Sequence, residues 1–395
     1  MDISDLRIAL FSGNYNYTRD GANQALNRLV ASLLARGAAV RVYSPKVANP
    51  DFPATGDLVG LPNVPMPVKG RGEYRMPTHL GAAVKRDLAA FAPNIVHLSS
   101  PDPAAHAALR WARAHAIPVL ASVHTRFETY PRYYNMAFLE PLIVKGLRRF
   151  YNRCDALVAP SQSMIDELLA MQMHTDIGLW SRGVDRTIFS SARRDPEWRR
   201  SLGLADDDVA IVFLGRLVME KGLDVFSDSI DRLVRRQVPH QVLVVGEGPA
   251  RGWFESRLPK AVFAGFQGGA DLGRAVASMD LFFNPSITET FGNVTLEAMA
   301  CAVPVVAARA TGSESLVEHN VTGQLVRPGA TVEFADALQA YCGDAELRAR
   351  HGQAGLKRSE KYSWDRINRG LAETYIRLIR QRQAGTGGVP YRAIR

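Results

Sequence analysis

Residues 284–304, NPSITETFGNVTLEAMACAVP, are the stretch on which the fold reading turns. They open on the end of an apolar run, Leu281-Phe282-Phe283, break at Pro285-Ser286, and turn through Thr288-Glu289-Thr290-Phe291-Gly292. A helix follows in which Val294, Leu296, Ala298, Met299 and Ala300 line a buried side, and Pro304 starts the next strand. Two carboxylates stand eight positions apart, Glu289 in the loop and Glu297 about a turn inside the helix. A helix start preceded by small residues presents unpaired N–H groups and the positive end of a dipole, which suits an anion. A carboxylate beside such a place is suited to sugar hydroxyls. Read alone, a capped helix with a solvated glutamate accounts for the same residues more simply.

The rest of the chain repeats this alternation. Arg7-Ile8-Ala9-Leu10-Phe11 reads as a buried strand, a helix begins at Gly21, and Val40-Arg41-Val42-Tyr43 is the next strand. Strand, helix and strand with a short return make a parallel βαβ unit. Further strands follow at 95–98, 118–123 and 156–159, with a helix over 103–116, whereas 51–77 is rich in proline and glycine and reads as irregular. A second series begins after Arg186, with strands at 210–214, 241–245, 262–264 and 281–283 and helices over 222–236 and 271–278. The expected fold class is α/β, two doubly wound Rossmann-like domains facing a cleft. The expected division is 1–185, 186–363, a C-terminal helix over 364–383 packing back on the first domain, and a flexible tail over 384–395. Ligands of open parallel sheets bind beyond the carboxyl ends of the strands.

Composition narrows the class. A chain of 395 residues, 47% hydrophobic and 22% charged, suits a globular protein of two domains. No apolar run approaches the roughly 18–20 residues of a membrane span. The acidic start leading directly into a strand does not read as a signal peptide, and three scattered cysteines suit a reducing compartment, so a cytoplasmic protein is expected. The net charge of +9 admits nucleic acid, anionic lipid or nucleotide phosphate. With no zinc-finger spacing, aromatic RNA-binding signature or long basic run, nucleic acid is not expected as a partner.

Chemistry gathers at strand ends of the second series. Gly215-Arg216-Leu217-Val218-Met219-Glu220-Lys221-Gly222 places a guanidinium and an ammonium at the carboxyl end of the strand over 210–214. Two such cations neutralise a diphosphate, Arg216 as a fork and Lys221 as a point charge; a solvated basic loop is the alternative. Gly246-Glu247-Gly248-Pro249 sets a tight turn on the same edge. Neither a metal-ligating cluster nor a cofactor motif is visible.

In this order and spacing, Gly215-Arg216…Glu220-Lys221-Gly222, Gly246-Glu247-Gly248-Pro249 and Pro285-Ser286…Glu289…Glu297-Ala298 resemble glycosyltransferase family 4, the large retaining family of the GT-B fold. The resemblance spans essentially the whole chain, and its motif set is specific although no single piece is. It implies a nucleotide-sugar donor, transfer with retention, and no metal or other cofactor. Arg216 and Lys221 match the pair on the donor diphosphate, Glu297 the carboxylate on the ribose hydroxyls, and Glu289 the one on the transferred sugar. Phe291, Gly292 and Asn293 would offer backbone N–H groups to donor oxygens. His124, in Ser122-Val123-His124-Thr125, matches the histidine near the donor sugar; without the resemblance a hydrogen-bonded structural histidine is the simpler account. Of the paired glycines usual after the first strand, Gly21 alone matches.

Residues 124–134, HTRFETYPRYY, with Trp180-Ser181-Arg182-Gly183-Val184-Asp185, are similar to the subgroup of sulfoquinovosyl diacylglycerol synthases and lipid-directed mannosyltransferases. That likeness implies a UDP-sugar donor ahead of GDP-mannose and a membrane-lipid acceptor ahead of a soluble or polysaccharide one. Arg182 would reach a donor or acceptor anion, or else form an ion pair at a domain hinge. On a helical wheel 140–153 gathers Lys145, Arg148, Arg149 and Arg153 on one side and Leu139, Ile143, Val144, Leu147, Phe150 and Tyr151 on the other, with Leu142 on the basic side. A core helix with a solvated basic face fits this pattern; so does a peripheral site at the inner face of an anionic membrane, with Tyr130, Arg132, Tyr133, Lys145, Arg148 and Arg149 toward acceptor and lipid. A nucleotide-sugar-binding protein without transfer activity is the non-enzymatic alternative.

Overall fold

The computed structural model describes residues 1–18, 20–66, 74–129 and 136–385. It divides into two compact units, residues 1–181 with the returning C-terminal helix, and residues 182–363.

In the first unit the strands β1 (Arg7–Phe11), β2 (Ala39–Ser44), β3 (Asp57–Gly60), β4 (Asn63–Pro65), β5 (Arg75–Pro77), β6 (Ile95–Leu98), β7 (Val119–Ser122), β8 (Ala156–Ala159) and β9 (Asp176–Leu179) follow in chain order. Seven of them form one parallel sheet in the order β3-β2-β1-β6-β7-β8-β9, and β4 and β5 pair antiparallel. Both faces of the sheet are covered, so its central strands are apolar on alternate sides. Ala9 and Phe11 enter one buried cluster, Ile8 and Leu10 the other. The Trp364–Gln383 helix belongs to this unit: Leu371, Ala372, Tyr375, Leu378 and Ile379 join the cluster of Leu26, Leu29 and Val30.

The second unit holds β10 (Ala210–Leu214), β11 (Gln241–Val245), β12 (Val262–Gly265), β13 (Leu281–Asn284), β14 (Val305–Ala308) and β15 (Gly323–Val326), parallel in the order β12-β11-β10-β13-β14-β15. In both sheets the winding reverses beside the first strand, between β1 and β6 and between β10 and β13. Ligands of doubly wound sheets bind beyond such a switch point.

Two expectations need correction. The 51–77 region is not wholly irregular: β3 is an edge strand of the main sheet, and β4 and β5 form their own pair. Its residues hide this because an edge strand need not alternate apolar and polar positions, and Pro65 and Pro77 sit where a paired N–H is not required. The division also falls a few residues before 185. Trp180 is buried in the first unit's core, whereas Val184 is buried in the second unit's core and donates its backbone N–H to Tyr362 O at 3.0 Å.

Candidate functional site

The second unit's switch point is built from two loops, 215–222 after β10 and 285–292 after β13. Gly222 joins them. Its φ of 74° is left-handed, and a Cβ there would stand 3.1 Å from Pro285 O. Thr288 Oγ1 donates to Glu220 O at 3.3 Å, a second tie between the loops. Lys221 Nζ donates to Glu289 Oε1 at 2.5 Å, both groups partly exposed. Arg216, in the same loop as Lys221, is exposed. The structure therefore brings Lys221 and Glu289, 68 residues apart in sequence, into contact.

The loop beyond Glu289 is fixed from beneath. Asn284 Nδ2 donates to Thr295 Oγ1 at 3.3 Å, Asn284 Oδ1 accepts the Ser286 N–H at 3.2 Å, and Glu289 O accepts the Gly312 N–H at 2.8 Å. Phe291 turns its side chain into the core, edge-on to Tyr362 at 5.7 Å, leaving its backbone as the part that can meet a ligand. The Asn293–Ala300 helix starts at Gly292, whose φ is 91°, and no side chain caps it. Its first-turn N–H groups and its dipole thus lie one residue beyond the loop that carries Glu289, and Glu297 is half-buried within the helix. Glu297 also lies close enough to reinforce burial in pushing the Cys301 thiol up to about 12.

Next to β10, the chain after β11 makes its tight turn at Gly246, φ 142°. Gly215 N–H donates to Val245 O at 3.0 Å and Gly246 N–H to Gly265 O at 2.9 Å, so three strand ends are laced together. Arg182 is buried at the start of this unit. Thr288, Asn284 and Gly312 are site-shaping residues that the sequence reading did not single out. The run of Asn, Ser and Thr around Pro285 was the available signal, since these side chains bond nearby backbone in turns.

In the first unit His124 follows β7. Its Nε2 lies 2.8 Å from Ser122 Oγ, and its ring is edge-on to Trp180 at 5.5 Å. Gly21 opens the first helix behind Asp20, whose carboxylate accepts the Ala22 and Asn23 N–H groups at 2.9 Å. Gly21 is therefore a helix start capped by a side chain, unlike Gly292. The Glu140–Tyr151 helix buries Leu147, Phe150 and Tyr151. Lys145 and Arg149 are exposed, but Arg148 is half-buried and donates to Gln172, and Arg153 lies beyond the helix end. Phe138 and Leu142 are 76% and 66% exposed. Tyr130, Arg132 and Tyr133 lie outside the described residues. Among the described residues no group of three acidic, histidine or cysteine side chains is placed to hold a metal, and no helix is long and apolar enough to cross a membrane.

Comparison with known proteins agrees with this arrangement. Residues 19–187 match the family model described as Glycosyltransferase Family 4, and residues 208–344 the model described as Glycosyl transferases group 1. The chain is 28% identical over 386 residues to a GDP-mannose-dependent alpha-mannosyltransferase of Corynebacterium glutamicum, covering 95% of this chain and 90% of that one. It is 31% identical to a protein of the same description from Mycolicibacterium smegmatis, over 81% of this chain and 84% of that one. It is also 31% identical to a sulfoquinovosyl transferase of Arabidopsis thaliana, over 72% of this chain and 57% of that one. A sucrose-phosphate synthase structure from Thermosynechococcus elongatus superposes with a TM-score of 0.75 at 19% identity, covering 94% and 99% of the two chains, a likeness of GT-B fold. With both sheets, both loops and near full-length relatives in agreement, the chain belongs to glycosyltransferase family 4.

Proposed function

We propose that the protein moves a sugar, with retention and without a metal ion, from a nucleotide-sugar to a lipid acceptor at a membrane surface. The observation that carries this reading is the Lys221–Glu289 contact at the switch point, one turn from the uncapped start of the Asn293–Ala300 helix. Cations and N–H groups suit a diphosphate, and carboxylates beside them suit hydroxyls. Lys221 links the two, so the group that holds the sugar is tied to the group that meets the leaving phosphate.

The reaction that such a site supports needs no covalent nucleophile. The acceptor oxygen bonds to the anomeric carbon on the face from which the phosphate departs, the carbon–phosphate-oxygen bond breaks, and the acceptor's proton passes to the departing phosphate oxygen. Arg216 and Lys221 stabilise the charge that develops there. A double-displacement site would instead place two carboxyl groups about 5 Å apart across the sugar. The subgroup resemblance makes a UDP-sugar the first donor to test; likeness to two GDP-mannose-dependent mannosyltransferases supports GDP-mannose as the second.

The test is release of free nucleotide from a panel of UDP- and GDP-sugars, with and without diacylglycerol or glycolipid. Release that requires the lipid and survives EDTA is expected. Donor binding without lipid-dependent release would leave a binding protein. The two acids should then separate. Glu297→Ala weakens nucleotide-sugar binding by about 10–100-fold, the worth of charge-assisted bonds to hydroxyls. Glu289→Ala lowers kcat by roughly a hundredfold and changes nucleotide affinity much less. Equal loss of nucleotide affinity in the two variants would contradict the division.

Membrane attachment is read from the same helix that carries Lys145 and Arg149. Phe138 and Leu142 project into solvent beside those cations, and each apolar side chain transferred from water contributes about 1.5–3 kcal/mol. Basic residues near an anionic surface add about 1 kcal/mol each. Because Arg148 is engaged by Gln172, Lys145→Glu/Arg149→Glu is the sharper charge reversal. In liposome flotation it should lower the bound fraction on anionic vesicles at least about tenfold. Binding that is absent in the native protein, or unchanged in the variant, would remove the membrane from the proposal.

A further inference from the structure

Behind His124 the first unit carries a file of polar groups that the proposed reaction leaves unused. Tyr375 Oη lies 2.6 Å from His97 Nδ1, His97 Nε2 lies 2.7 Å from Ser122 Oγ, and Ser122 Oγ lies 2.8 Å from His124 Nε2. The members come from the Trp364–Gln383 helix, β6, β7 and the loop after β7. Tyr375, His97 and Ser122 are buried. The Trp180 indole packs edge-on to both imidazoles, 5.9 Å from His97 and 5.5 Å from His124. Its Nε1–H donates to Asn368 Oδ1 at 3.3 Å, from the same helix two turns before Tyr375. One helix thus holds both the far end of the file and the wedge between its histidines.

Tyr375 and Ser122 each have a single hydrogen to give. Burial lowers the His97 pKa to about 3, so its ring is neutral and carries one N–H. Three links then run in one of two directions. Among the described residues the one polar partner of Tyr375 Oη is His97 Nδ1. If the file ran from His124 toward Tyr375, the tyrosine O–H would be buried with no acceptor. In the other direction that hydrogen is used, and only a phenolic lone pair is left unfilled. A buried donor without an acceptor is the rarer and costlier state.

We infer that His97 and Ser122 are positioning residues that set the tautomer of His124, with Tyr375 capping the far end of the file. Tyr375 donates to His97 Nδ1, His97 Nε2–H donates to Ser122 Oγ, and the Ser122 hydroxyl donates to His124 Nε2. The hydrogen of His124 therefore sits on Nδ1. The ring then meets a donor-sugar oxygen as an N–H donor, its Nε2 lone pair being occupied. This last step rests on the donor-sugar contact that the family resemblance implies for His124; the tautomer does not.

Full-length protein labelled with 15N-histidine decides the matter by long-range 1H–15N correlation, with His124→Gln identifying the His124 signals. The expected native pattern has His124 Nε2 as the unprotonated nitrogen and Nδ1 as the N–H. Tyr375→Phe leaves His97 Nδ1 facing no partner, and by the same rule a bare nitrogen there is cheaper than a buried N–H, so the native His124 pattern should hold. Ser122→Ala, which removes the hydroxyl that donates to His124 Nε2, should shift the His124 pattern toward Nε2–H, and Ser122→Thr, which keeps the hydroxyl, should restore the native pattern. A native His124 protonated at Nε2 overturns the inference without any variant, and so does a pattern unchanged in Ser122→Ala. In the transfer assay Ser122→Ala should lower kcat about tenfold with nucleotide affinity unchanged. If the native tautomer is as described but His124→Gln transfers sugar normally, the file stands and the role given to His124 falls.

Discussion

Lys221→Met should lower sugar transfer by about 10²–10³-fold in kcat, the usual cost of removing one group aimed at charge that develops in the transition state. The methionine keeps the unbranched stem, so packing against the 285–292 loop changes little, and the loss reports the ammonium. Two effects add. In the proposed reaction the departing phosphate loses a cation, and Glu289 loses the partner that stands 2.5 Å away, which frees the carboxylate proposed to hold the sugar to take other rotamers. Lys221→Arg should recover only part of the rate, because a planar fork on a longer stem cannot take the same position between carboxylate and phosphate. Steady-state kinetics with a saturating acceptor, alongside calorimetric nucleotide binding, is the measurement. A loss of less than tenfold in kcat would remove Lys221 from the chemistry and leave it as a loop tie.

The second large effect is on stability. Gly246→Ala places a methyl group where the backbone of the neighbouring strand end already is: a Cβ at Gly246 would stand 2.9 Å from Gly215 C and closer still to Gly215 O. Its φ of 142° is also one that side-chain-bearing residues avoid. Neither segment can retreat cheaply, because the Gly215–Val245 and Gly246–Gly265 backbone bonds lace them to their neighbours. Strain and overpacking together should cost roughly 3–5 kcal/mol. The second unit's thermal transition should fall by about 2–4 °C for each kcal/mol, while the first unit's transition holds. Gly252→Ala, at a glycine with open space around its Cβ position, is the control and should be near neutral. A Gly246→Ala transition within one or two degrees of native would show that the turn opens more readily than its bonding indicates.

How much of this was legible beforehand differs from place to place. The central strands announced themselves, since β1, β10 and β13 are buried on both faces and read as unbroken apolar runs. Edge elements did not. β9, half-exposed and interrupted by Gly178, carries almost no pattern, and β3 owes its place to pairing with β2. Among site residues, Glu289, Glu297, Arg216 and Lys221 were named from motif and spacing, but nothing local said that Lys221 bonds Glu289. Thr288 and Gly312 were passed over because their work is done on distant partners, Glu220 and the 289–291 backbone. A helical wheel counts Arg148 with Lys145 and Arg149, yet Gln172, 24 residues further on in a turn, takes it.

By itself the sequence determined the alternation of buried strands and amphipathic helices, and with it two parallel sheets, because period and apolar content are properties of a few neighbouring residues. It determined also the chemical inventory at each strand end. Tertiary structure decided what that inventory amounts to. The reversal of winding between β10 and β13 sets the 215–222 loop against the 285–292 loop, and the last helix, distant along the chain, brings Tyr375 and Asn368 behind His124. Contacts of that kind join residues whose separation in sequence carries no period, so only the assembled sheets, which bring strand ends to one edge, could bring them together.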